Sequence, residues 1–221
     1  MQPPNPNQGP ATTIAQHLTQ HSSIIKWGFV LVRCTYGPEH ESKWTNLLAL
    51  AKQRAREHFE ACSLTEAHEK MEWTVIEDAA RLDGASIEAS TNAFCDWNWE
   101  GEGRLEQVES KDPVTGMVDY TPRYLFYLHV DEEGLEGVRG GEEKGEEMAE
   151  GDRCVKVVRP DKVVMKELQR TFSEENREEY TLLDLRKKVR VGEIVELYAA
   201  LAGSVNGWDS IVTEDEVCRF Y

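Results

Sequence analysis

The fold is decided by the stretch IIKWGFVLVRCTY, residues Ile24–Tyr36. In an extended strand, successive side chains point to opposite faces of the sheet, so alternate residues share a face. Both faces formed in this way are mostly apolar, and β-branched and aromatic residues dominate them. Two apolar faces are typical of a strand in the middle of a sheet that is covered on both sides. We therefore expect a central strand here, with the rest of the chain packed around it.

A second run with two apolar faces, RYLFYLHVD, covers Arg123–Asp131. By the same alternation it predicts a second central strand, which we expect to lie beside the first. Between the two, an amphipathic helix from about Ser42 to Ala61 is followed by a strand at Trp73–Glu77. A strand–helix–strand order favours a parallel pair, so Trp73–Glu77 is predicted to pair in parallel with the first strand.

The remaining patterns predict shorter elements around these strands. They are a helix at 11–20, a helix at 85–97, a loop at 100–121, strands at 154–158 and 184–191, helices at 162–172 and 193–202, and an edge strand at 208–212. The fold class that follows is α+β, with a mainly antiparallel sheet of four to five strands and packed helices. A ferredoxin-like or dimeric α/β-barrel-like core is the specific arrangement expected.

One domain accounts for most of the chain. Residues 1–22 are predicted to be a mobile N-terminal tail, because its first ten residues are rich in Pro, Asn and Gln. Residues 23–221 are predicted to form a single α+β domain, since no linker divides the chain into self-sufficient halves. Within it, the segment 132–152 is rich in Glu and Gly, which predicts a solvated acidic loop or, alternatively, a docking segment for a basic partner.

Charge and cysteine content exclude several classes of protein. The formal charge is −16, from 41 acidic and 25 basic side chains, so a nucleic acid or an anionic membrane would be repelled. No apolar run is long enough to span a bilayer, and no secretory signal is visible at the start of the sequence. The five cysteines are scattered singly, which indicates free thiols, a reducing compartment and hence the cytoplasm.

Five segments, taken in order, carry a resemblance to known sequences. They are Trp27–Gly37, Trp44–Leu48, Trp73–Val75, Leu82–Ser86 and Arg123–Asp131. Together they resemble a large family of uncharacterised proteins from filamentous ascomycete fungi, over roughly residues 27–161. The resemblance implies a soluble fungal protein and brings no established activity with it.

Two arginines are candidate ligand-binding residues. In a ferredoxin-like antiparallel sheet, the end of the first strand lies beside the start of the third, which would bring Arg33 and Arg123 to one rim. Two guanidiniums there would clamp a carboxylate or a phosphate. The alternative is that each arginine pairs with a local carboxylate such as Glu77, Asp78 or Asp83.

His129 and Asp131 form a second candidate pair, expected at the opposite rim. Residues two apart on a strand point to the same face, so Asp131 would orient the imidazole as a general base requires. No nucleophile is placed to join them, and a structural histidine is the alternative. A metal site that includes Glu133 has no stronger support, and neither a metal nor a cofactor is predicted.

Two functional hypotheses remain, and the sequence leaves open whether the protein is an enzyme. The first is a non-enzymatic intracellular module that binds a protein partner. The second is a small-molecule enzyme or ligand-binding domain with a pocket on the face of the sheet, where Trp97 and Trp99 would join the charged candidates. A homodimer is open in either case. An enclosed apolar pocket with converging polar groups would favour the second hypothesis, and a filled core would favour the first.

Overall fold

The computed structural model describes residues 9–111, 121–136, 154–160, 186–203, 207–211, 213–214 and 217–218. Its strands are β1 (Val30–Arg33), β2 (Thr74–Ile76), β3 (Tyr127–Val130), β4 (Cys154–Val158), β5 (Arg186–Arg190), β6 (Thr213–Glu214) and β7 (Val217–Cys218). Its helices are α1 (Pro10–Gln20), α2 (Pro38–Ala61), α3 (Thr65–Glu69), α4 (Ala79–Leu82), α5 (Ile87–Trp99), α6 (Glu102–Glu109), α7 (Glu132–Glu136), α8 (Ile194–Gly203) and α9 (Gly207–Ser210). Single turns of 3-10 helix lie at Pro122–Tyr124 and Val191–Glu193.

The strands form one mixed sheet in the order β2-β1-β3-β4-β5-β7-β6. β1 is parallel to both of its neighbours, and Val30 lies opposite Thr74 on one side and Tyr127 on the other. β3, β4 and β5 are antiparallel to one another in turn. The predicted α+β class, the central first strand, the third strand beside it and the parallel β1–β2 pair are all confirmed.

The antiparallel pairing that a ferredoxin-like core requires between the first and third strands is wrong, because β1 and β3 are parallel. The cause is the connection from β2 to β3, which contains helices α4, α5 and α6. Antiparallel neighbours can be joined by a tight hairpin, whereas a connection with helices brings the next strand back in the same direction. The loop predicted at 100–121 is wrong at Glu102–Glu109, which forms helix α6.

The side chains of β1, and of Phe29 directly before it, alternate between two separate cores. Phe29 and Leu31 belong to the larger one, which α1, α2 and α8 complete. Val30 and Val32 belong to the smaller one, which α5 covers. All four side chains are fully buried. Since burial of one large apolar side chain stabilises a fold by roughly 1.5–3 kcal/mol, this double coverage explains why β1 organises the domain.

Helix α1 extends the folded domain beyond its predicted start at residue 23. It begins at Pro10, whose fixed φ suits the first turn of a helix, and it buries Ile14 and Leu18 in the larger core. Residues 10–20 are therefore part of the domain and not of a tail, and the predicted helix at 11–20 is confirmed. The part of the predicted tail at 1–8 lies outside the described residues.

Other predictions have mixed outcomes. The strand predicted at 184–191 and the helix at 193–202 are confirmed as β5 and α8. The edge strand predicted at 208–212 is wrong where the chain is described, since Gly207–Ser210 is helical. The start of the predicted acidic loop at 132–152 is helix α7, and its remainder, like the helix predicted at 162–172, lies outside the described residues. Among the described residues, no helix is long and apolar enough to cross a membrane.

Candidate functional site

The parallel strands separate the two candidate arginines. Arg33 ends β1 opposite Val130, at the carboxyl end of β3. Arg123 precedes β3 and reaches the backbone of Gly28, before β1 begins. The predicted shared rim is therefore wrong. Asp131 follows the end of β3, so the predicted opposite rim for it and for His129 is wrong as well, and both lie at the end of the sheet where Arg33 lies.

All the N–H groups of Arg123 are occupied within the protein, and the residue is completely buried. Nε and Nη2 donate to the two carboxylate oxygens of Glu106 at 2.8 and 3.1 Å. Nη1 donates to the carbonyls of Gly28 and Glu72 at 3.3 and 2.9 Å, and Nη2 also donates to the Thr74 hydroxyl at 2.6 Å. These five bonds match the five donors of a guanidinium. Arg123 therefore has no donor left for a ligand.

Glu106 keeps this buried arginine charged. Burial alone would lower the pKa of Arg123, but the Glu106 carboxylate raises it above its usual value. The predicted partners Glu77, Asp78 and Asp83 are wrong for this arginine. Glu106 was not a predicted partner because residues 100–121 were predicted to be a loop, and its buried position on α6 was not visible in the sequence.

Arg33 is also occupied. Nη2 and Nη1 donate to Glu41 at 2.6 and 3.4 Å, Nη1 donates to Glu77 at 3.4 Å, and Nε donates to the Thr35 carbonyl at 2.9 Å. The rings of Tyr36 and Trp44 lie 4.6 and 5.1 Å from the guanidinium carbon. The predicted local pairing of Arg33 with Glu77 is confirmed. The side chain is only 5% exposed, so it joins β1 to the start of α2 and does not form an open anion site.

His129 stands in a buried series of polar side chains. Its Nε2 lies 3.4 Å from a carboxylate oxygen of Asp131, and its Nδ1 lies 2.9 Å from the hydroxyl of Ser90. The thiol of Cys34 is 3.5 Å from the same Nδ1, and Ser90 also meets the Tyr127 hydroxyl at 2.8 Å. A serine, a histidine and an aspartate in this order are the side chains that acyl-transfer enzymes use.

The surroundings of this series are those of a structural group of buried polar side chains. Ser90 is fully buried and His129 is 2% exposed, so neither side chain is open to solvent in the described part of the chain. The Ser90 hydroxyl also lies 3.0 Å from the carbonyl of Ile87 in its own helix. Burial and the charge of Asp131 raise the pKa of the Cys34 thiol to about 12, so it is not a nucleophile either. His129 matches the structural alternative.

Asp131 is held as an ion by its neighbours. Burial alone would raise its pKa, but hydrogen bonds from His129, from Lys156 and from the N–H of Gly134 lower it well below its usual value. Lys156 also pairs with Glu133 at 2.8 Å. Among the described residues, no group of three His, Cys, Asp or Glu side chains is placed to hold a metal ion. Ser90 was not among the predicted site residues, although its position one turn before Phe94, on the buried side of α5, was a signal in the sequence.

The two candidate tryptophans do not lie in an enclosed pocket of the described part. Trp99 is half-buried and packs against the smaller core. Trp97 is 9% exposed, and its ring stacks near Tyr124, with a centroid distance of 6.3 Å. Its indole N–H is buried and has no acceptor in the described structure. Trp97 nevertheless lines an open surface groove.

This groove, which we call the edge groove, lies between β2 and helices α4 and α5 and has a volume of about 520 Å³. Its apolar lining consists of Val75, Ile76, Leu82, Ala93 and Trp97. β2 is the last strand on its side of the sheet, and no other described strand pairs with its outer edge. The edge groove therefore combines an apolar surface with the open side of a strand.

Charges around the edge groove are mostly negative. Four carboxylates, from Glu77, Asp78, Asp96 and Glu100, line it together with the single guanidinium of Arg81, which leaves three negative charges in excess among the lining residues. Glu77 also lies 3.4 Å from the buried Arg33 guanidinium, which is not part of the lining. Arg81 is already engaged with Asp96 at 3.4 Å. The groove thus attracts cations more than anions.

A second groove, of about 460 Å³, lies where the end of α2 meets the 3-10 turn after β5. Its charged side chains pair with one another, Arg54 with Glu57 at 3.0 Å and Arg190 with Glu193 at 3.3 Å. This surface offers neither a mainly apolar lining nor an excess of one charge.

Comparison of the chain with known protein families, with functionally described proteins and with solved structures finds no match. The resemblance to ascomycete proteins stays a prediction.

Proposed function

We propose that the protein is a non-enzymatic interaction module that binds a segment of a partner protein along β2, in the edge groove. The observation that carries the proposal is the position of an apolar groove beside the open edge of a sheet. A strand at the edge of a sheet presents unpaired backbone N–H and C=O groups, and an extended peptide can pair with them as an additional strand.

The lining of the groove supports this mode of binding. Val75 and Ile76 are half-buried, so they supply apolar area without being part of a closed core. Trp97 lines the groove with part of its ring, although the residue is buried and its indole N–H is not exposed to the groove. Half-buried aliphatic side chains beside a strand edge give side-chain pockets for an added strand.

The alternative hypothesis, a small-molecule enzyme or binding domain, lacks this support. It required polar side chains converging in an enclosed pocket, but Arg33, Arg123 and His129 are buried with partners inside the protein. The hydrogen bonds of these three side chains instead connect separate parts of the fold. The cytoplasm is the compartment that we propose, because Cys34, Cys62, Cys95 and Cys154 are free thiols.

The proposal is tested by site-specific cross-linking. A photo-reactive amino acid replaces Asp96, an exposed residue of the edge groove, and the matched control carries it at Glu69, an exposed residue of α3. We expect the probe at position 96 to capture a defined protein from cell extract and the probe at position 69 not to capture it. Hydrogen exchange on the purified complex is then expected to show slower exchange at Thr74–Ile76.

Three outcomes would contradict the proposal. Equal capture from positions 96 and 69 would show that the captured protein does not bind preferentially in the edge groove. Amides at Thr74–Ile76 that are already fully protected in the free protein would show that the outer edge of β2 is not open. A small metabolite that raises the melting temperature, in the absence of any captured protein, would favour the ligand-binding alternative, since only binding to the folded state has this effect.

A further inference from the structure

We infer that the edge groove accepts an extended, basic segment in which apolar and Lys or Arg residues alternate, and that this segment adds to the sheet beside β2. The inference rests on the proposed function, because it specifies the partner of the same groove. It is carried by the coincidence of an open strand edge, an apolar lining and an excess of negative charge.

The negative charge surrounds the groove and is not confined to one point. Glu77 and Asp78 follow directly after β2, whereas Glu100 follows the last residue of α5. Glu77 and Glu100 are exposed, and Glu100 has no charged partner among the described residues. A cationic side chain of a bound segment would therefore meet carboxylates from both sides of the groove.

Helix α5 adds to this field. Its thirteen residues, Ile87–Trp99, end at the groove, where Glu100 is the C-cap. The carbonyl groups at the end of a helix carry a partial negative charge of roughly half an elementary charge. The helix end and the carboxylates act in the same direction, and both favour a cation.

Alternation follows from strand geometry. In an added strand, every second side chain points to the same face of the sheet. Side chains on the face toward α5 would contact Ile76 and Trp97, which requires apolar residues. The others would lie near Glu77 or in solvent, where Lys or Arg is favoured. A sequence of the type Lys-Val-Lys-Val satisfies both requirements.

The charge argues for a basic partner over a second copy of this chain. A second copy also carries a formal charge of −16, and symmetric pairing through β2 would bring two acidic grooves together. Like charges placed opposite each other suppress association. An anionic nucleic acid or membrane meets the same repulsion.

The test uses a labelled heptapeptide, acetyl-Lys-Val-Lys-Val-Lys-Val-Lys-amide, with the full chain. Matched peptides replace every Lys by Glu or by Thr, and a fourth peptide carries an N-methyl group on each of its backbone amides. Binding is measured by fluorescence anisotropy, and its location is measured from the ¹⁵N spectrum at Val75, Ile76 and the Trp97 indole. We expect the Lys peptide to bind and to shift these signals, and the N-methylated peptide to bind about tenfold more weakly because it cannot pair with an edge strand.

Two charge-reversal variants test whether the carboxylates of the edge groove attract the Lys peptide. Glu100→Lys lies in the groove, and Glu69→Lys makes the same change in net charge on the surface of α3. Both side chains are exposed, so both variants are expected to fold, which the ¹⁵N spectrum verifies. We expect Glu100→Lys to weaken binding of the Lys peptide about tenfold, and Glu69→Lys to change it less than about twofold, since screening weakens distant charges.

The outcomes separate the inference from the proposed function. If the Thr or Glu peptide shifts the groove signals and the Lys peptide does not, the basic partner is wrong and the interaction groove stands. If Glu100→Lys and Glu69→Lys weaken binding equally, the attraction is not local and the inference is overturned. If the N-methylated peptide binds as well as its parent, strand addition is wrong. If no peptide of any charge shifts these signals, the groove does not accept a strand, and the proposed function fails with the inference.

Discussion

Replacement of Glu106 by Gln is expected to destabilise the fold strongly, although it replaces only one carboxylate oxygen with an amide nitrogen. Glu106 is buried on α6 and accepts two hydrogen bonds from the completely buried guanidinium of Arg123. The substitution keeps the size of the side chain and removes its charge. Arg123 would then remain in the interior without its main counterion.

The expected loss of stability depends on which acceptors of the Arg123 guanidinium remain and which are lost. Removal of one partner of a buried ion pair costs about 3–5 kcal/mol. Gln keeps one carbonyl acceptor, and the Glu72 carboxylate, 3.7 Å from Nη2, supplies part of the missing charge. We therefore expect a loss of about 2–4 kcal/mol in the free energy of unfolding. For a domain of this size, each kcal/mol lowers the melting temperature by about 2–4 °C.

The assay is denaturant unfolding, and the matched control is Glu109→Gln, an exposed residue on the same helix. The control is expected to stay within about 0.5 kcal/mol of the parent protein. The double variant Arg123→Met, Glu106→Leu is expected to lose less than the sum of the two single changes, because it leaves no unpaired charge. A Glu106→Gln variant as stable as Glu109→Gln would refute the assignment of this pair as a support of the fold.

Three further predictions concern other parts of the fold. Native Cys34 should react with a thiol reagent at pH 8 at least about a hundredfold more slowly than exposed Cys62, because it is buried and its pKa is raised to about 12. Peptide mapping follows both rates, and similar rates would contradict the burial of Cys34. Asp131→Asn should cost about 2 kcal/mol at pH 7 in denaturant unfolding. Since the folded-state pKa of Asp131 is lowered, this difference should narrow as the pH falls below about 4, and a difference that is independent of pH would contradict the charge assignment. Ile14→Ala, in α1, should cost about 2–4 kcal/mol, and a neutral effect would mean that residues 10–20 are not part of the core.

The centre of the fold was predictable because its signal is local. The stretch around β1 is apolar on both faces, and only a strand covered on both sides buries all of it. The same argument applies to β3, and the spacing of Trp44, Leu47 and Phe59 predicted α2 correctly. In each of these cases the burial pattern lies within a single element.

Relations between elements were not predictable in this way. The direction of β3 depends on α6, whose residues are mostly polar and whose Leu105 and Val108 are exposed, so its pattern lacks a clear apolar face. The partner of Arg123 lies on that helix, and the partner of His129 lies on α5. The edge groove exists because β2 is the outermost strand of the described sheet on its side, which is a property of the strand order. No local pattern carries that information.

The contact between α1 and α8 has a consequence for synthesis in the cell. Thr13 of α1 lies beside Gly203 at the end of α8, and Ile14 and Leu18 are in the core that α8 completes. The chain leaves the ribosome from its N-terminal side, so α1 is synthesised long before α8. Until α8 follows, the apolar face of α1 is exposed to solvent. We expect chaperones that bind incomplete chains to bind this apolar face during translation.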